Sequence, residues 1–472
     1  MVQKIVTLVF PLLLSLGLLA QNTANKPALS LESRTLVSTG NQLPFWMQMN
    51  QLGMVDGSDA FQQLVVLHLL QQPQELDPEQ WQLSYGLSVA GRLSEHAVLQ
   101  PNEYWGRLHY KGWYLHAGAK GEPVFANGLS MTNGNMYLSN NARPMPRVGF
   151  GTTNFQLFRS GWLSRFAFDF EYNEYFLLDD RIVDDANLHH KRLDMNYTIA
   201  EGWRLSLGLD HWVFWGGTSP THGELPGFED YLRYVLGHTG SENAPETDQN
   251  NVAGNQLGNY AFSLTREAEN SSVELYWQHP WEDGSGTRFE NMPDGLWGVS
   301  WKQHQPYQPL EAMVIEYVNT RHQSGKYHKE PNPDKPGEVM GNGRDNYFNN
   351  SVYRSGFVSY DRMVGLPLFI PGFNADGVSS GFPNTRLWAV HQGMNGWLSE
   401  QIGWKTLATY SKHYGQHWAE YPRPKELLSL AAQVDYYLPT KPLAFSLKLA
   451  YDNGAVLDSG FGAELRVRFT LK

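Results

Sequence analysis

The stretch GAELRVRFTLK, Gly462 to Lys472, alternates without interruption: Ala463, Leu465, Val467, Phe469 and Leu471 are apolar, and Glu464, Arg466, Arg468, Thr470 and Lys472 are polar. A period of two gives a strand one oily face and one ionic face. Such a strand suits either a soluble sandwich, oily face inward, or a transmembrane barrel, oily face to lipid. In a closed barrel it would pair with the first strand, because lipid tolerates no unpaired sheet edge. Ala463 to Leu471 would then meet lipid, while Glu464, Arg466 and Arg468 would line the lumen. Two lumen arginines favour a filled, charge-paired interior over a wide channel. Barrels of this kind often end on an aromatic residue, whereas here Phe469 stands inside Leu471-Lys472.

The same alternation recurs along the chain. Phe166, Phe168, Phe170 and Tyr172 alternate with Ala167, Asp169, Glu171 and Asn173; Leu205, Leu207 and Leu209 with Arg204, Ser206, Gly208 and Asp210. Leu83 to Val89, Leu428 to Leu438 and Leu443 to Tyr451 repeat it. The polar faces are mostly small, with few charges, and Tyr or Trp stand near strand ends at Trp215, Trp404 and Tyr436-Tyr437. That pattern matches a barrel with interfacial aromatic girdles better than a sandwich whose polar face meets bulk water. The expected fold is all-β, a transmembrane antiparallel barrel, with room for an even number of strands between about 16 and 20.

Composition narrows the function. The chain has 472 residues, 13% aromatic, with 45 Gly and 26 Pro, no Cys and a net charge of −11. The acidic balance argues against nucleic acid. The lack of Cys excludes disulfides, thiolate metal sites and a thiol nucleophile. Mean hydropathy is −0.44, and no segment after the N-terminus approaches the about 20 apolar residues of a helical span. Lys4, the apolar run Ile5 to Leu19 and a junction at Ala20-Gln21 read as a cleaved export signal over 1–20. An N-terminal segment, 21–62, either periplasmic or carrying a first strand, then precedes a barrel expected over 63–472. Long loops rich in Gly, Pro and Asn are expected at 216–258, 321–350 and 365–385, where binding residues usually sit.

Several segments together carry a resemblance: LPFWMQMNQLG from Leu43, LSNNARPMPRVGFG from Leu138, DANLHHKRLDM from Asp185, HWVFWGGTSPTHGELP from His211, WQHPWEDGSG from Trp277, PDGLWGVSW from Pro293, GRDNYFNN from Gly343 and GFVSYDRMVGLPL from Gly356. In this order the set resembles the Wzi-type capsule assembly proteins, in the form met in Bacteroidetes. The resemblance implies an outer-membrane barrel of eighteen strands with long extracellular loops. It also implies a surface lectin that holds or organises capsular polysaccharide and catalyses nothing. Family members carry an N-terminal helical bundle, but residues 21–62 show no run of period 3.6, so the bundle is not expected here.

Sugar recognition needs aromatic faces against pyranose C–H groups and polar side chains around the hydroxyls. Three clusters qualify: His211, Trp212 and Trp215; Arg344, Asp345, Asn346, Tyr347, Asn349 and Asn350; and Asn140, Asn141, Arg143 and Arg147. Each suits equally a hydrogen-bonded barrel wall or a turn. His189-His190 would point to opposite faces of a strand and so would not share a metal ion. The run Asp179, Asp180, Asp184 and Asp185 around Arg181 lacks calcium-loop spacing and is expected to be a solvated loop. No metal or cofactor is called for. His322 and Ser324 share a strand face and would be the dyad of a lipid hydrolase; Glu282 and Asp283 would be the carboxylates of a glycosidase. Neither set has an orienting partner in the sequence. A porin is the remaining alternative. Expected partners are surface polysaccharide, outer-membrane lipid and, during biogenesis, the barrel assembly machinery, with the chain acting as a monomer.

Overall fold

The structure, a computed structural model, describes residues 27–72, 79–250, 252–327, 330–332, 334–340 and 343–471. The export signal expected over 1–20 lies outside these residues. The remainder closes into one antiparallel barrel of 18 strands. In chain order these are β1 (Ala28–Ser38), β2 (Phe61–Gln71), β3 (Gln82–Leu93), β4 (Ala97–Tyr110), β5 (Trp113–Ala119), β6 (Pro146–Thr152), β7 (Phe166–Phe176), β8 (Asn187–Ala200) and β9 (Trp203–Trp215), then β10 (Asn255–Glu267), β11 (Ser271–Trp281), β12 (Gly295–Gln303), β13 (Ala312–Asn319), β14 (Leu387–Ser399), β15 (Ile402–Gln416), β16 (Ala419–Tyr437), β17 (Leu443–Gly454) and β18 (Gly460–Leu471). Each strand pairs with its neighbours in sequence, and β1 pairs with β18 to close the ring.

The barrel therefore begins at Ala28, inside the 21–62 segment, not at residue 63. In β1 the outward Leu29, Leu31 and Val37 are exposed to lipid, whereas Glu32 and Arg34 are buried inside. The last strand behaves as its alternation demands. Leu465, Phe469 and Leu471 are exposed on the outer face, and Glu464 is buried. The closing seam is ionic on its inner side. Arg34 donates to Glu464 at 2.9 and 3.2 Å, Arg466 to Glu464 at 2.7 Å, and Arg468 to Glu32 at 2.6 Å, with Lys448 at 3.7 Å from Glu464.

Loop lengths are unequal between the two ends. Turns on the side of the termini include 111–112, 201–202 and 400–401, while 39–60, 120–145, 216–254 and 320–386 all leave the opposite end. Long loops mark the extracellular side of such barrels. None of the described helices is long and apolar enough to cross a membrane. Residues 39–60 hold one short helix, Phe45–Gln48, and all four of its residues are buried.

Candidate functional site

Three of the long loops, 39–60, 120–145 and 320–386, do not stand away from the barrel; their described residues fold back and fill it. Loop 120–145 descends to mid-lumen, where Glu316 of β13 accepts from Ser130 Oγ at 2.6 Å, the Met131 amide at 2.7 Å, Thr132 Oγ1 at 2.8 Å and, from the wall, Tyr276 Oη at 3.0 Å. His391 Nε2 meets the Leu129 carbonyl at 2.6 Å, Lys405 Nζ donates to the Asn127 carbonyl at 2.8 Å, and Gln278 accepts from the Met136 amide at 2.9 Å. Loop 39–60 enters beside it: Arg34 donates to Gln51 at 2.9 Å, and the Trp46 and His391 rings lie 5.0 Å apart. The apolar part is continuous, joining Phe45, Met47, Leu129, Met131, Tyr137, Tyr347, Phe348, Phe357 and Phe369 to the inner wall. Gly393 is required on that wall, because a Cβ there would collide with the Leu129 carbonyl.

Against this plug, the first expected sugar cluster does not converge. Strand geometry sends His211 and Trp215 outward and Trp212 inward. Trp212 is 0% exposed, stacked on His190 at 3.8 Å and edge-on to Phe357 of the plug. It has no ring face left for a ligand. His211 bonds Gln256 and stacks on Trp281 at 5.6 Å, and Trp215 Nε1 donates to Glu174 at 3.3 Å. His189 and His190 likewise diverge, to Glu174 and to Asp210 respectively.

The second cluster is mostly stitching between loops. Tyr347, fully buried, donates to Asp294 at 3.1 Å; Asn346 accepts from Thr385 at 2.9 Å. Asn349 pairs with both backbone groups of Phe382, and Asn350 caps Val352 and Tyr353. Asp345 accepts from Ser324 at 2.7 Å. Burial, then the nearby Asp283, pushes the Asp345 carboxyl up to about 6. Arg344 differs from the rest: half-buried, it lies over the exposed Trp418 ring at 5.2 Å. In the third cluster Asn140 and Asn141 hold backbone groups of Glu122 and Met363, and Arg147 pairs with Glu122 at 3.0 Å and Tyr175 at 2.6 Å. Only Arg143 of that group reaches the rim, over Tyr360 at 4.2 Å.

Arg143 and Tyr360 flank a rim groove of about 600 Å³ at the loop end, with Gln48, Asp56, Arg92, Gln100, Asp361, Arg362 and the exposed Phe373 among its walls. Arg92 pairs with Asp56 at 3.2 Å, and Arg362 donates to the Val55 carbonyl at 2.6 Å. Tyr360 and Asp361 form the tip of a small hairpin, Val358–Ser359 against Arg362–Met363, with φ of +47° and +61°. Two left-handed residues in such a turn normally require Gly, Asn or Asp, so the strain falls on Tyr360, at a cost of order 1–3 kcal/mol. That strain is retained where Tyr360 is presented to Arg143. The sequence carried little warning: Tyr360 and Trp418 are single aromatics without local pattern.

The enzyme candidates are otherwise engaged. Ser324 donates to Asp345 and lies 2.6 Å from Ser285, while His322 Nδ1 has no hydrogen-bond partner among the described residues and so is not oriented towards Ser324. Asp283 caps the short helix Gly284–Thr287, and Glu282 accepts the Phe348 amide. Arg181 pairs with Asp179 at 3.0 Å and donates to the Val358 carbonyl, which ties the acidic loop to the plug. Beneath them Asp294 collects Asn319, His322, Gln323 and Tyr347 as donors. Burial dominates and pushes its carboxyl up to about 7 despite those bonds.

A family model described as capsule assembly protein Wzi matches residues 102–369. No curated protein matches the chain. Among solved structures, the chain is similar to Wzi of Escherichia coli, an outer-membrane carbohydrate-binding β-barrel involved in group 1 capsule assembly. The identity is 14% and the TM-score 0.59, over 93% of this chain and 84% of that one. It is also similar to OprD of Pseudomonas aeruginosa, at 11% identity and TM-score 0.48 over 96% and 97% of the two chains. OccAB2 of Acinetobacter baumannii follows at 8% and 0.48 over 95% and 98%.

Proposed function

The chain belongs to the Wzi capsule assembly family, and from that premise we propose that it is a plugged outer-membrane barrel that holds capsular or other surface polysaccharide at its extracellular mouth without transforming it. The observation that carries this is the rim groove, where a strained hairpin tip sets the Tyr360 ring against the Arg143 guanidinium. An aromatic face suits pyranose C–H groups, and Arg, Gln and Asp around it suit hydroxyls and carboxylates. Arg344 over Trp418 is a second contact of the same chemistry on the rim. The protein acts as a monomer in outer-membrane lipid, delivered by its export signal and the barrel assembly machinery.

The filled lumen favours this reading over a porin, whose lumen is a water-filled channel. No reaction is assigned, since Ser324, Glu282 and Asp283 all hold loop structure. The test is binding of the purified, detergent-solubilised protein to a glycan array and to capsular polysaccharide from its own cells, with Arg143→Ala, Tyr360→Ala and Arg344→Ala compared. Loss of binding in the Arg143 and Tyr360 variants, and capsule shed into the medium by cells carrying them, is expected. Wild-type binding and capsule retention in those variants overturn the assignment.

A further inference from the structure

The outer wall carries a second surface with no role so far. On β7 to β9 the lipid-facing side chains are apolar through Phe170, Leu193, Leu207 and Leu209, and then the same face turns polar at Glu174, His189 and His211. These groups are not left to the membrane: His189 is 0% and His211 6% exposed. Their cover is Phe228–Leu236 in loop 216–254, a turn of 3-10 helix running into the α-helix Tyr231–Leu236 and ended by the left-handed Gly237.

This segment is strapped to the outside of the barrel. Tyr231 Oη meets Glu174 and, at 2.7 Å, Tyr172 Oη; Lys191 Nζ donates to the Val235 carbonyl, and Gln256 Nε2 to the Tyr234 carbonyl at 3.2 Å. The face turned away from the wall is mostly apolar, with Glu229 and Arg233 exposed at its edge. Phe228, Leu232 and Leu236, four residues apart and so on one side of the helix, are 79%, 69% and 61% exposed. Lipid-facing Leu207 and Leu209 reach 42% and 44%.

We propose that this helix is a membrane foot, its Phe228–Leu232–Leu236 face seated among acyl chains at the outer boundary of the bilayer. Continuity with the lipid-facing band identifies the occupant. Phe228 stacks on Tyr231 at 5.5 Å, Tyr231 bonds Tyr172, Tyr172 stacks on Phe150 at 5.6 Å, and Phe150 meets Phe170 at 5.8 Å and Trp113 at 6.4 Å. An apolar face that prolongs the band upward, with the Asp230–Arg233 ion pair on the same short helix, is the composition of an interfacial element. The foot fixes loop 216–254 to the membrane surface. It stands independently of any polysaccharide role.

The chain has no cysteine, so Leu232→Cys gives a single attachment point for a nitroxide. The labelled full-length protein is reconstituted in phosphatidylcholine vesicles beside Leu207→Cys in the lipid band and Phe373→Cys on a loop. Relaxation by oxygen and by a water-soluble nickel chelate is then read at each position. At 232 the oxygen-to-nickel accessibility ratio should match that at 207 and exceed that at 373. A ratio equal to that at 373 overturns the proposal, whether water, glycan or another protein covers the helix. A heat-dependent gel shift confirms folding, and Leu236→Cys replaces Leu232→Cys, with the same two outcomes, if that variant does not fold.

Discussion

Replacing Glu316 by Ala should unlatch the plug. The carboxylate, 0% exposed, accepts from Ser130, Met131, Thr132 and Tyr276, and three of these donors belong to loop 120–145. A hydrogen bond to a charged acceptor contributes about 1.5–3 kcal/mol, and removing the acceptor leaves the donors buried and unpaired. The relief of the carboxylate's own desolvation offsets part of this. The net loss is on the order of 3–5 kcal/mol, the cost of stripping one partner from a buried charged arrangement. At 1.4 kcal/mol per tenfold, the undocked population of residues 129–136 should rise by roughly 10² to 4 × 10³. Hydrogen exchange in detergent reads this directly, as lost protection at Met131 and Met136 with little change in β7 or β17. Glu316→Gln, which keeps one acceptor oxygen, should fall between. If residues 129–136 in Glu316→Ala exchange at the wild-type rate, the latch is not where the structure puts it.

Four further outcomes follow from the same geometry. Gly393→Leu should lift Leu129 off the wall and give ion conductance in planar bilayers, where the parent barrel is closed; a silent variant contradicts the plugged lumen. Glu464→Ala strips the shared partner of Arg34 and Arg466 at the β1–β18 seam, and heat-modified gel migration should show unfolding at lower temperature by a loss of about 3–5 kcal/mol. Asp294 and Asp345 have folded-state carboxyl values raised to about 7 and about 6, so their contribution is complete below the ordinary Asp range near pH 4 and is lost as pH rises through 6 to 7. Exchange protection at residues 322–327 and 343–347 should therefore fall between pH 5 and pH 8, and Asp294→Asn should flatten that fall. Trp212→Phe should leave glycan binding unchanged while Tyr360→Ala abolishes it, because only the second ring is on the rim.

The barrel was legible because lipid forces a period of two on every spanning strand. β18 shows that period over its whole length and β7 and β17 over most of theirs, and the burial of Glu464 beneath exposed Leu465 follows it residue by residue. β1 was harder, since Ser33 interrupts its oily face and Glu32 and Arg34 find their partners, Arg468 and Glu464, only across the closed seam. A filled interior was expected from Arg466 and Arg468, but the segments that fill it were not legible. Leu129, Met131, Phe45 and Met47 sit in aperiodic stretches, and only the docked loops reveal that they form a core. The same blindness affected the binding clusters. Neighbours such as His211 and Trp212 look adjacent in sequence, yet they are separated by the thickness of the barrel wall. The rim pair Arg143–Tyr360 joins residues that no local motif connects.

The plug hangs from its outer edge. Loops 39–60, 120–145 and 320–386 all start and finish at strand ends on the side away from the termini, so both ends of every filling segment are hinged at the cell surface. Such a stopper swings outward only. A pulling machine on the periplasmic side would find, among the described residues, no segment of the stopper to grip, whereas a polymer that takes hold of the rim from outside has direct mechanical purchase on it.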